Sequence, residues 1–87
     1  MRYERVDGVL HQVVEGRAML ISSEGKEVVV LNGTGTMVWD TLAERGDPAA
    51  LVAAVHAAHP TVGIETITVD VGAFLDELVA AGLVRAE

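Results

Sequence analysis

The chain has no cysteine, two prolines, three aromatic residues and six basic ones among its 87 residues. Without a thiol there is no disulfide, no thiolate metal site and no cysteine nucleophile, and the absence fits a reducing compartment. Because Tyr3, Trp39 and Phe74 are the only aromatics, the core must be built from Val, Leu, Ile, Met and Ala. Six bases against 13 acids leave a net charge of −7. Nucleic-acid binders draw most of their affinity from Lys and Arg that neutralise phosphates, and the bases here are scattered, so a nucleic-acid partner is not expected. An acidic surface keeps a small protein soluble or suits a basic partner. No apolar run approaches the ~18 residues of a membrane span, and the opening Met-Arg-Tyr-Glu-Arg lacks a signal peptide's apolar stretch. The expectation is a soluble cytoplasmic protein with no membrane partner.

What is present is apolar. Hydrophobic residues make up 51% of the chain, enough to fold it, and its length fits a single domain over residues 1–87. A chain of this size holds a small core and no deep, many-layered active-site cavity.

The first third reads as strands. Val9 to Val14 is rich in β-branched residues and is followed by Glu15-Gly16, a two-residue hairpin signal with glycine second. Arg17 to Ser22 forms a second strand, Ser23-Glu24-Gly25 a second turn, and Lys26 to Leu31 a third strand. Two tight turns make a three-stranded antiparallel meander with the third strand at an edge. Side chains alternate along a strand, so Val29 and Leu31 face one way and Val28 and Val30 the other, all of them apolar. Edges are normally blunted by charge or proline, and Lys26 and Glu27 stand only at the start of this one. Either the domain's own helices cover both faces of the strand, or the edge is kept open for another strand; the residues alone favour the first.

After Asn32 the apolar period becomes helical. Asn32 is suited to cap a helix over Thr36 to Arg45, with Gly46 at its C-terminal stop. Asp47-Pro48 starts a second helix, with Asp as cap and proline in the first turn, and His59-Pro60 ends it. A third helix over about Glu65 to Ala81 repeats Ile67, Val71, Phe74, Leu75, Leu78 and Val79 at three- and four-residue steps. Its other face carries Asp70, Asp76 and Glu77 without a single base, and Gly82 closes it. Leu83-Val84 is placed to dock back on the core. The fold class is α+β: a three-stranded antiparallel sheet followed by three helices.

Catalytic groupings are sparse. His56 and His59 share a helical spacing, but a metal site wants three or four ligands and no carboxylate belongs beside them. His11 stands alone in a strand. Gly33-Thr34-Gly35 lacks the third glycine and the Lys-Ser/Thr of a phosphate loop, so it reads as a strand-to-helix turn. Asp76 and Glu77 are neighbours on a helix, about 100° apart, and form no dyad. No enzyme activity, metal or cofactor is expected.

Two passages are distinctive. Leu31-Asn32 leads into Trp39 and Leu42, and Asp70-Val71, Phe74-Leu75, Leu78 and Gly82-Leu83-Val84 follow at fixed spacing. Together they resemble the PqqD-like family over nearly the whole chain, the strands matching in pattern more than in letters. A free-standing acidic domain of this size is similar to the leader-binding proteins of lasso-peptide biosynthesis.

The resemblance implies a RiPP recognition element, a winged-helix-like domain that binds the leader of a ribosomally made precursor peptide. It implies that the leader adds to the third strand and lies against the third helix, which turns the balance on that strand toward an open edge. Val28, Val29, Val30 and Leu31 would then supply the ladder. Phe74 and Leu78 would contact apolar leader side chains, and Asp70 and Glu77 basic ones. The implied partners are the precursor leader peptide, a cysteine-protease-like leader peptidase and an ATP-dependent cyclase. The same topology also hosts winged-helix transcription regulators, which place a recognition helix in the major groove; here that helix offers only acids. A third alternative is an interaction module of the structural or toxin–antitoxin kind.

Overall fold

The computed structural model describes residues 1–15 and 17–87. The elements in order are β1 (Tyr3–Arg5), β2 (Leu10–Val14), β3 (Arg17–Ile21), β4 (Val28–Leu31), α1 (Gly33–Leu42), α2 (Pro48–Ala58), α3 (Ile64–Ala80) and β5 (Val84–Ala86). The arrangement is α+β and winged-helix-like: β2, β3 and β4 form an antiparallel meander in that order, and three helices follow. Gly25 takes the left-handed conformation in the β3–β4 turn. In the β2–β3 turn Glu15 is left-handed, while Gly16 lies outside the described residues.

Local chemistry fixes the helix ends. The Asn32 side chain accepts a hydrogen bond from the Gly35 N–H at 2.7 Å, so α1 begins at Gly33, three residues before the expected start. Asp47 caps α2 by accepting from the Ala50 N–H at 3.2 Å, with Pro48 in the first turn. At the end of α3, Gly82 is left-handed, its N–H donates to Val79 O, and Leu83 N–H donates to Leu78 O. That double bond pattern stops a helix and turns the chain back, and it drives Leu83 and Val84 into the core.

The sequence reading lacks β1 and β5. They pair with each other in a separate two-stranded antiparallel sheet, Glu4 opposite Arg85. This pairing also corrects the role of Gly46. Helix α1 stops at Leu42 with Ala43 as its cap, so Gly46 is no helix terminator. Tyr3 N–H donates to Gly46 O at 2.8 Å, and a side chain at residue 46 would overlap the Tyr3 carbonyl oxygen. Glycine is there because β1 passes directly over it.

One buried cluster joins the helices to the inner sheet face: Leu20 and Leu31 from the sheet, Trp39, Leu51 and Leu75 from the helices, and Leu83 after them. Trp39 is tied to β1 by Arg5, whose guanidinium lies 4.2 Å from the ring centroid. Arg5 Nε donates to the Trp39 carbonyl oxygen at 3.1 Å, and Nη2 donates to the same oxygen. Burial pushes the Arg5 pKa down from its ordinary value, and Asp40 nearby pulls it partly back.

Candidate functional site

The β4 strand is covered on one face only. Val29 and Leu31 turn inward, Leu31 fully buried, while Val28 and Val30 are 56% and 54% exposed. Of the two alternatives for this strand, helices over both faces is the one excluded. Three helices over a sheet of this size cover a single face, and the other stays open.

The edge is open as well. β4 pairs with β3 on one side, Leu20 opposite Val29 and Met19 opposite Val30, and with no other strand among the described residues. The phase of the ladder is set at the hairpin, where Ser22 N–H donates to Glu27 O at 2.9 Å. The buried Ser22 hydroxyl holds that turn, accepting from the N–H groups of Lys26 and Glu27 at 3.2 and 3.1 Å. Backbone groups alternate in direction along a strand. Glu27, Val29 and Leu31 thus face β3, and Val28 and Val30 turn their N–H and C=O groups to the free edge. Of the four residues expected to form a ladder, two have their backbone available.

Helix α3 comes close to the chain just before and just after β4. Near the start of β4, Glu27 and Lys26 share a cleft with Ala80, Ala81 and Gly82. Past its end, Asn32, Thr34 and Gly35 share a cavity of about 260 Å³ with Asp70, Val71 and Phe74. The helix therefore runs opposite to the strand, its Asp70–Phe74 turn at the Leu31 end.

The α3 residues expected at the site divide by face. Residues 70, 74 and 77 fall at four- and three-residue steps and share a flank. Asp70 is exposed and lines the cavity. Phe74 is half-buried, packing on the core while its ring forms a cavity wall. Glu77 is exposed on the same flank. Leu78 corrects the expectation: at 0% exposure it belongs to the core with Val71 and Leu75, so its side chain is not offered to a ligand. Thr34 and Gly35 are wall residues that the sequence reading took only as turn-formers. A glycine inside a helix does signal close approach, and Gly35 makes room for the Phe74 ring.

The exposed acids of α3 are Glu65, Asp70, Asp76 and Glu77, with no base in the helix. An open strand edge beside an acidic helix flank and an apolar cavity is a shape for an extended peptide. The model of the family described as coenzyme PQQ synthesis protein D (PqqD) matches residues 17–84. The chain belongs to the PqqD family. The matched segment of this PqqD-family chain contains β3, β4, all three helices and the walls of the cavity; β1 and β2 lie before it. No curated protein matches the chain. Among solved structures, TbiB1 in complex with the TbiA(beta) leader peptide is similar, with a TM-score of 0.82 at 23% identity over 97% of this chain and 96% of that one. That likeness shows a shared fold. Among the described residues, no helix is long and apolar enough to cross a membrane.

Proposed function

We propose that this PqqD-family chain is a RiPP recognition element that binds the leader of a ribosomally made precursor peptide. The observation that carries the reading is the free edge of β4, with the backbone groups of Val28 and Val30 pointing out beside α3. An extended peptide satisfies such an edge by adding a strand, and side-chain pockets next to it select the sequence. Phe74 meets an apolar leader side chain, and Asp70 and Glu77 attract basic ones. The similar fold of TbiB1, solved in complex with a leader peptide, supports leader binding by this chain.

The chain performs no chemistry in this reading. It presents the leader, in lasso-peptide maturation, to a cysteine-protease-like peptidase that removes it and an ATP-dependent cyclase that closes the ring. One domain spanning residues 1–87 suffices for that task, in the cytoplasm where the precursor is made.

Fluorescence polarisation with a labelled lasso-precursor leader peptide, and with a labelled DNA duplex, tests the assignment. Saturable leader binding with no duplex binding at physiological salt is the expected result. Duplex affinity that falls steeply with salt, the mark of phosphate contacts, would sink it in favour of a winged-helix DNA binder.

A further inference from the structure

Val28 and Val30 offer an incoming strand two identical side chains at nearly equal exposure. A peptide that slips along β4 by two residues meets the same kind of backbone group and the same isopropyl surface. Uniform strands of this sort specify register weakly. On the outer face of the sheet, whatever pins the register has to stand at the ends of the strand.

The two ends differ in charge. Met19 lies opposite Val30 and Ile21 opposite Val28, so by alternation Arg17 belongs to the same outer face. At the other end Lys26 stands in the β3–β4 turn, where Glu24 neutralises it at 3.6 Å. Arg17 is exposed and makes no ion pair among the described residues. Ala18 pairs with Leu31, which sets Arg17 level with Asn32, just past the end of β4. It shares an open recess of about 400 Å³ with Val30, Leu31, Asn32 and Gly33. A free guanidinium thus marks one end of the strand only.

We infer that Arg17 reads a carboxylate side chain of the peptide and thereby sets the register of the added strand. The inference rests on the leader-binding reading and deepens it. Side chains of an added strand alternate: those toward α3 meet Asp70 and Glu77, and those on the other side continue the outer sheet face. The two sides of one peptide therefore meet opposite charge. Two strand spacings, ~10 Å, separate β3 from the added strand, a gap that arginine and an Asp or Glu span between them across the end of β4. The guanidinium fork matches a carboxylate in plane. Charge placed at one end only favours one register over its two-residue slips, the use to which interface charges are well suited.

A display library of random 20-residue peptides, selected separately on the wild-type protein and on the Arg17→Gln, Arg17→Glu and Val30→Pro variants, tests this. Each variant is first shown to melt cooperatively. The wild type should enrich an acid at one fixed position of the bound segment. Arg17→Gln should lose that preference, and Arg17→Glu should select Lys or Arg there. A synthetic peptide of the wild-type consensus should bind Arg17→Glu at least ~5-fold more weakly, the upper range for one exposed ion pair. Replacing its acid by lysine should restore the loss, and 1 M salt, with a screening length of ~3 Å, should erase it. An acid enriched equally on wild type and Arg17→Glu, or no acid on the wild type, overturns the role of Arg17 while leaving strand addition standing. Enrichment of the same peptides on Val30→Pro, or of none on the wild type, overturns strand addition and the register pin with it.

Discussion

The ring edge of Phe74 rests against the bare Cα of Gly35. A methyl group built on Gly35 would lie 3.2 Å from Phe74 Cζ and 3.2 Å from the Asn32 Oδ1 that caps the same helix. Strand exit, helix start and cavity wall are thus coupled through one missing side chain. Gly35→Ala should displace the ring by a few tenths of an ångström and weaken leader binding. Its melting temperature should change little, because alanine returns up to ~1 kcal/mol of helix propensity.

Phe74→Ala is the stronger probe of the same wall. The half-buried ring should cost leader affinity about 1–3 kcal/mol, as for a contact hot spot. Its stability loss should fall below the roughly 3–5 kcal/mol of a fully buried phenylalanine. Titrations and melts on the one variant separate these effects; a full core-sized loss with unchanged affinity would remove Phe74 from the site.

The two strand prolines distinguish edge from interior. Proline has no N–H to give a ladder. At Val30 the lost donor points to the free edge, so Val30→Pro should fold and lose leader affinity strongly. At Val29 it points to β3, so Val29→Pro should damage the sheet itself. Circular dichroism melts beside leader titrations read both. Full affinity in a folded Val30→Pro protein would exclude strand addition to β4.

Gly46→Ala places a methyl group into the backbone of β1, which cannot yield as a side chain does. Overpacking of this kind costs about 1–3 kcal/mol or more. For a domain this small each kcal/mol lowers the melting temperature by roughly 4–8 °C. A melting point within error of the wild type would mean that β1 does not sit against residue 46.

Arg5→Ala removes two charge-assisted hydrogen bonds and a guanidinium stacked on Trp39. The expected destabilisation is about 1.5–3 kcal/mol, read as a shift in urea midpoint. Arg5→Lys should recover little of it, because an ammonium cannot donate through a fork and stack at once.

The parts of this fold legible in the sequence are those with a repeating signal. Three- and four-residue steps through Ile67, Val71, Leu75 and Leu78 mark α3 to within a residue, and Asn32, Asp47 and Gly82 mark helix boundaries through their own chemistry. Tyr3–Arg5 and Val84–Ala86 escape, since three residues are too few to show a period and their pairing spans the whole chain. Gly46 is misread for a related reason: a glycine needed for close approach looks the same in sequence as one that ends a helix. At the site, the flank of Asp70, Phe74 and Glu77 follows from helical spacing. The burial of Leu78 follows from the same spacing, and only the resemblance set it among the peptide contacts.

The pairing of β1 with β5 brings the first and last turns of the path together. Arg2 N–H donates to Glu87 O at 3.0 Å, and Glu87 N–H donates to Arg2 O at 2.7 Å. Adjacent strands stand ~5 Å apart, about the width of a loop's neck. A unit whose ends meet in this way can be grafted into a surface loop of another polypeptide without stretching host or guest. The free edge of β4 belongs to the other sheet, so it stays clear of both junctions. Insertion into a host loop would leave that edge as accessible as it is in the separate chain.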